Sequence, residues 1–384
     1  MKHLNSILII ILFSCSENSD KFGSGYFSNI QIKLDTIKID PIGQILYLND
    51  DIQGADISKD EKYLYNFNFY DHSLEKINLN ELRLEEKLPF EKEGPNGTGQ
   101  FMGRIELYSR NQLIIGDINR MELFSLEGIK LLTIRYKNFS VGLENGDQIV
   151  GNPVLDINAN RLYILTNRLS DKIYSLLILN LSSSEVLKVP LESFTNLNDY
   201  RFTLRVGNGS VSIDPNVRME KFGSKLILSN QVNSDFLVFD TSVDSLFLKT
   251  YSSYLTDSGK LGNYKKEHET EKSLGDEYTK FLQDINFLPP FWDDKNQVFY
   301  RFSYQEIKGH DEKNQQKQVK VYLSAFDSNL NLLGEVQIDH LNEISNNVFF
   351  RRFPMHFVKD GNIWIYKNIS DELYFIVLNL YKYN

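Results

Sequence analysis

Six arginines recur near positions where inner strands are expected: Arg104, Arg205, Arg218, Arg301, Arg351 and Arg352. A guanidinium offers paired donors that match a carboxylate or phosphate. Several converging on one channel would make a local anion site in a chain of net charge −9. The plainer reading pairs each arginine with a nearby Asp or Glu, and the acidic composition favours it. The loop 91–103 is the most distinctive segment, with Gly94, Gly97, Gly99 and Gly103. Glycine permits positive φ and close backbone approach. No Gly-Lys-Ser/Thr closes the loop, so it is not a phosphate-binding P-loop. It reads as a tight crossover between two repeats. A sharper reading sets Glu91, Glu93 and Arg104 at the mouth of a central channel. The candidate ligand-binding set is therefore Arg104, Glu91, Glu93, Arg218, Arg301, Arg352 and His356.

Other chemistries find less support. There is no Gly-x-Ser-x-Gly elbow. His72 and His356 are candidate bases, but no serine can be placed beside either from sequence. Paired carboxylates abound, as in any acidic chain, so they identify no glycosidase. The six histidines are scattered, and Glu267-His268-Glu269 are consecutive residues that do not face one another on a helix. Asp56, Ser58, Asp60 and Glu61 have oxygen-ligand spacing. They lack the glycine and distal glutamate of an EF-hand loop and read as a turn. No metal and no cofactor is expected. Nucleic acid is excluded as a partner, because it requires a positive face that displaces counterions.

These residues must be positioned by strands. Aromatic residues make up 13% of the chain, including 21 Tyr and 26 Phe. Rings of this kind pack well on a pleated surface. Residues 29–39 alternate apolar and polar, as a half-buried strand does. A weak repeat follows: a polar turn, a short apolar strand, and a second strand. Its copies start at 58–65, 109–115, 158–164, 221–228, 294–300 and 359–365. Their partner strands are 74–78, 120–124, 173–179, 236–240, 319–327 and 373–378. Radial repetition of small antiparallel sheets predicts an all-β, six-bladed β-propeller. The segment 26–39 would zip the last blade shut and remove an exposed edge. Two stacked sandwiches are the alternative. The stretch 265–283 is charged and helix-prone, with Tyr278, Phe281 and Leu282 at helical spacing. It reads as an inserted helix ended by Pro289-Pro290. Residues 308–317 read as a polar hairpin extension.

The N-terminus carries a targeting pattern. Lys2 and His3 precede a short apolar stretch, then Leu12-Phe13-Ser14-Cys15 and a polar run. The apolar run is too short to span a bilayer. Cys15 is the sole cysteine and stands where a lipoprotein bears its acylated thiol. Phe13 is atypical of a lipobox. The expected division is a signal peptide at 1–14, a lipidated Cys15 with a tether to 25, and one propeller domain at 26–384. Lipidation of Cys15 would leave the folded part without a disulfide or a thiol nucleophile. Membrane attachment would then run through the acyl chains.

A resemblance can be named on these residues. The lipobox, Ser-Lys-Asp-Glu-Lys-Tyr-Leu-Tyr-Asn at 58–66, Leu-Glu-Lys-Ile-Asn-Leu at 74–79 and Leu-Pro-Phe-Glu-Lys-Glu-Gly-Pro-Asn-Gly-Thr-Gly at 88–99 resemble DUF4221, a Bacteroidota lipoprotein family of unknown function. The likeness covers most of the chain and is specific mainly over 55–130. More loosely, 93–101 leading to 123–128 is similar to the rhythm of six-bladed NHL-type propellers. The resemblance implies compartment and fold, and no activity.

The expected function is a membrane-anchored, exported binding module with its ligand site at the channel mouth. The place would be the outer membrane, facing the periplasm or the exterior. Candidate ligands are an anionic small molecule, a glycan or a peptide. The alternative is a hydrolase or lyase acting on a glycan or peptide. The lack of a catalytic motif puts the binder first.

Overall fold

The computed structural model describes residues 25–52, 54–100, 104–117, 119–136, 143–144, 146–183, 185–307, 319–341 and 353–382. The side chains of Asp50 and Arg104 lie outside this set. So do the expected signal peptide at 1–14, Cys15, most of the expected tether, the hairpin extension expected at 308–317, Arg351 and Arg352.

Among the described residues, six sheets with four-stranded antiparallel paths follow one another along the chain. Sheet 1 comprises Asp56–Ile57, Tyr63–Asn68, Ser73–Asn78 and Arg83–Pro89; sheet 2 comprises Arg104–Ser109, Gln112–Gly116, Arg120–Ser125 and Lys130–Arg135. Sheet 3 comprises Asp147–Asp156, Arg161–Arg168, Ile173–Asn180 and Val186–Pro190; sheet 4 comprises Val217–Phe222, Lys225–Asn230, Phe236–Asp240 and Ser245–Lys249. Sheet 5 has an interrupted first strand, Asn286–Phe287 and Phe291–Asp293, then Val298–Glu306, Val319–Phe326 and Leu332–Gln337. Sheet 6 comprises His356–Lys359, Asn362–Ile369, Glu372–Lys382 and, from the other end of the chain, Ile30–Lys38. The six repeats read from sequence are the second and third strands of these sheets.

Those middle strands are sandwiched, so both their faces are buried. This explains runs such as Leu176-Leu177-Ile178-Leu179, none more than 5% exposed. A separate apolar cluster fills each junction between successive sheets. Phe67 meets Leu113 between sheets 1 and 2, and Leu123 meets Leu162 between 2 and 3. Tyr163 meets Phe239 between 3 and 4, and Phe236 meets Phe326 between 4 and 5. Tyr300 and Ile365 share the cluster between 5 and 6, and Trp364 and Leu64 the one between 6 and 1. The circuit returns to its start, as a propeller requires. Two stacked sandwiches would not give it.

The closure works as the alternation predicts. Ile30–Lys38 pairs with the last strand in register from Ile30↔Lys382 to Lys38↔Tyr374. Ile30, Ile32 and Leu34 pack into the junction of sheets 5 and 6, and Ile37 into that of sheets 6 and 1. Just before it, Phe27 is 2% exposed, and the Tyr26 hydroxyl lies 3.0 Å from that of Tyr300. The polar turns of the repeat also have a local cause. In sheet 6, Lys359 pairs with Asn362 across Asp360 and Gly361, both at positive φ (53° and 76°). That is the two-residue turn whose twist matches a hairpin.

Two segments interrupt the repeat. Between sheets 3 and 4 lie a 3₁₀ segment, Glu192–Tyr200, and a hairpin of Phe202–Val206 with Gly209–Ile213. Between sheets 4 and 5 lie strand Glu267–His268 and helix α1, Glu271–Gln283. Glu267–His268 pairs in parallel with Thr203 and Leu204, so the two insertions share a three-stranded accessory sheet. The helix expected over 265–283 therefore starts later. Thr270 caps it by accepting the Ser273 amide, and residues before it are extended. Leu274, Tyr278, Phe281 and Leu282 form its inward stripe. Its end is set by Lys260 rather than by the prolines. The ammonium donates to the carbonyls of Phe281 and Ile285 and to Asn286 Oδ1 at 2.7–3.0 Å. Pro289-Pro290 instead break the first strand of sheet 5 in two.

Candidate functional site

The first strand of each sheet faces the axis. At one mouth, the first strands of sheets 3 to 6 border a cavity of about 500 Å³. Sheet 3 enters with a bulge between Val150 and Val154. There Gly151 adopts φ 64°, and a Cβ on it would stand 3.0 Å from the Val217 carbonyl. Glycine thus lets sheets 3 and 4 approach at the rim. Sheet 4 contributes Arg218 and Glu220, and sheet 5 contributes Phe287 through Phe291 with both prolines. Sheet 6 contributes Met355 and His356. The insertions complete the wall with Ser212, Asp214, Asn216 and Tyr278. At the rim, Arg201 Nη1 spans both oxygens of Asp214 at 3.1 and 3.2 Å.

One side of the wall is a chain of amides whose orientations follow from chemistry. Asn286 turns Oδ1 toward Lys260, at 2.9 Å, because its other end faces carbonyls that can only accept. Asn286 Nδ2 then donates to the carbonyls of Leu282 and Asp284. Gln231 Nε2 must also donate to that Oδ1, at 3.0 Å. This leaves Gln231 Oε1 to accept the Asn216 amide at 3.2 Å. Asn286 is fully buried and Gln231 is 9% exposed. Satisfied polar networks of this kind rigidify what they line. Burial pushes the Lys260 ammonium well below its ordinary value, with the Asp284 charge acting the other way.

His356 supplies the opposite side. Its Nδ1 stands 2.9 Å from the Pro354 carbonyl, which can only accept, so Nδ1 carries the proton. The rings of Phe291, Phe302 and Phe353 meet it edge-on at 4.9, 5.1 and 5.4 Å. Burial pushes its pKa down to about 4. The imidazole is therefore neutral at pH 7, with Nε2 a bare acceptor. The cavity combines aromatic and proline surface, fixed amides, a guanidinium and this acceptor. Among the described residues, no cluster of three or more His, Cys, Asp or Glu is placed to hold a metal.

Residues 26–337 match the family model of DUF4221, a domain of unknown function. The chain belongs to this family. A DUF4221 member from Bacteroides vulgatus has the same fold, with a TM-score of 0.64 at 12% identity over 92% of this chain and 99% of that one. A protein of Bacteroides fragilis, described as exported, aligns with a TM-score of 0.51 at 9% identity over 94% and 97%. No curated protein matches the sequence. No helix among the described residues is long and apolar enough to cross a membrane.

In this DUF4221 chain, two of the sequence-predicted residues, Arg218 and His356, line this cavity. Arg301 does not, although it lies in the wall. It is 1% exposed, with Nε donating to the Leu288 carbonyl at 2.7 Å and Nη1 to that of Ser234. Its guanidinium lies over the rings of Phe236 and Phe287, at 4.5 and 4.8 Å. Those donors are committed, so Arg301 positions the Leu288 segment rather than a ligand. Glu91 and Glu93 are exposed on a loop that docks against the outer side of sheet 2. Lys130, on the fourth strand, donates to the Gly97 carbonyl and to Asn96 Oδ1 at 2.7 and 3.2 Å. His72 holds the same loop through Thr98 Oγ1 at 2.7 Å. The loop is the crossover, away from the channel mouth. Arg205 is exposed on the accessory sheet beside Glu267. The structure adds Asn216, Gln231, Asn286 and Lys260, which no spacing in the sequence connects.

Proposed function

We propose that this protein is an exported binding module, anchored through acylated Cys15, whose ligand occupies the axial cavity. One observation carries the reading. The two insertions are the parts the repeating ring does not need, and both end on this cavity. Ordering such segments costs about 1–2 kcal/mol per residue in backbone entropy. A shaped wall is a return that the bare ring lacks. The expected occupant has an apolar face for Phe291 and Tyr278, and hydroxyl or amide groups for Arg218, Asn216 and His356. A glycan or peptide fragment has that chemistry. The targeting segment, and the description of the Bacteroides fragilis structural neighbour as an exported protein, support a location in the cell envelope, at the periplasmic or outer face of the outer membrane.

The test is a glycan and peptide screen with the soluble form starting at Lys21, followed by Arg218→Ala and Phe291→Ala. Each is expected to weaken the best ligand at least 10-fold, about 1.4 kcal/mol. A ligand whose affinity survives both changes does not bind in this cavity. A second reading, hydrolase or lyase, draws on one feature, the neutral acceptor at His356 Nε2. It requires turnover of the bound ligand that His356→Gln abolishes without loss of binding.

A further inference from the structure

We propose that Ser273 is a nucleophile activated by His268, and that the cleft around it accepts a small carboxylic ester such as an O-acetyl group on a polyhydroxylated alcohol. This site is independent of the axial cavity and shares no lining residue with it. The cleft, about 540 Å³, lies where the accessory sheet meets the start of α1. His268 Nε2 is 2.9 Å from the Lys265 carbonyl, and Nδ1 is 2.9 Å from Ser273 Oγ. A carbonyl only accepts, so Nε2 bears the proton in the neutral ring. Nδ1 is then the bare nitrogen, and the Ser273 hydroxyl donates to it. This is a nucleophile, a base and an orienting group in sequence.

The surroundings suit the role. His268 is 1% exposed and stacked on Phe202, so its ring is fixed, whereas Ser273 is only half-buried and reachable. The Ser273 amide is held by Thr270 Oγ1 at 3.2 Å. Helix geometry leaves the amides of Glu271 and Lys272 without intrahelical acceptors, and they can receive an oxyanion. The Glu277 carboxylate accepts the Lys265 amide at 3.1 Å, which fixes the residue whose carbonyl orients His268. The lining residues are Arg205, Lys265, Glu267, Glu269 and Thr270 besides the pair itself. That lining has no apolar wall for a long acyl chain, which is why a short acyl group is assigned.

In the step, Ser273 Oγ bonds to the ester carbon as its proton passes to His268 Nδ1. The carbon–alkoxide bond then breaks, and the departing alcohol takes that proton. Water repeats the sequence on acyl-Ser273 and releases the carboxylic acid.

The test uses the full chain, a fluorophosphonate probe and p-nitrophenyl acetate, with modified peptides mapped by mass spectrometry. Ser273 is expected to be phosphonylated at least about 100-fold faster than the mean of the other exposed serines, and Ser273→Ala to remove that adduct and the acetate release. His268→Asn is expected to slow both by about 10²–10⁴, the usual worth of a positioned base. Labelling of Ser273 no faster than that of other serines overturns the proposal, whatever the variants do. So does an unchanged rate in folded His268→Asn. If that variant fails to fold, the rate ratio in the unaltered protein and Ser273→Ala decide.

Discussion

His356 makes stability depend on pH in a calculable way. In the unfolded chain its imidazole titrates at the ordinary value of 6.5, and in the fold only near 4. Between these values the unfolded state binds more protons, so stability falls as pH drops. Its pH dependence dies away about one unit above 6.5 and about one unit below 4. With those two values the loss relative to pH 7 is about 0.7 kcal/mol at pH 6 and about 2 kcal/mol at pH 5. Carboxylates titrate in the same range, so the single curve is not diagnostic. The perturbation is therefore His356→Gln, whose amide cannot titrate. Urea unfolding of both proteins at pH 7 and pH 5 gives a difference of differences in which other groups cancel. The unaltered protein should lose about 2 kcal/mol more than the variant. Equal losses would refute the premise that the ring sits neutral and enclosed against Phe291, Phe302 and Phe353.

Three further outcomes are expected. Lys260→Met leaves the acceptors at Phe281, Ile285 and Asn286 without a donor and should cost about 2 kcal/mol, with faster amide exchange in α1. Leu34→Asp puts a carboxylate into the junction of sheets 5 and 6 and should cost about 3 kcal/mol, read as a lower melting temperature; no change would show that Ile30–Lys38 does not close the ring. Gly151→Ala strains a positive φ and crowds the Val217 carbonyl, for about 1–2 kcal/mol and a weaker axial ligand; calorimetry on both checks it.

The ring was legible because its information is local. All the repeats but the fifth place a turn and two strands within about two dozen residues, and the pattern survives without knowledge of its neighbours. The zipper was legible for the same reason, since alternation in residues 29–39 shows a strand with two different faces. The accessory sheet was not. Glu267 and His268 lie in a charged stretch with helical propensity, and only pairing with Thr203 and Leu204, sixty-odd positions earlier, holds them extended.

The arginines show how composition misleads at a site. Arg218 and Arg301 look alike in sequence, both near expected inner strands of an acidic protein. One lines the cavity, while the other spends its donors on carbonyls inside the wall. The difference lies in the strand each occupies, the first of sheet 4 for Arg218 and the second of sheet 5 for Arg301, and in what the adjacent sheet presents to it. Arg301 faces open carbonyls at the end of sheet 4, around Asn230 to Ser234, because that chain segment leaves the sheet there. The amide relay has the same origin. Gln231 and Asn286 are 55 positions apart, and only the packing of sheet 4 on sheet 5 makes them partners. The cavity thus takes its shape from the junctions between blades. Substitutions at Asn286 and Lys260, which stand behind the lining residues, should therefore alter ligand affinity without touching the ligand.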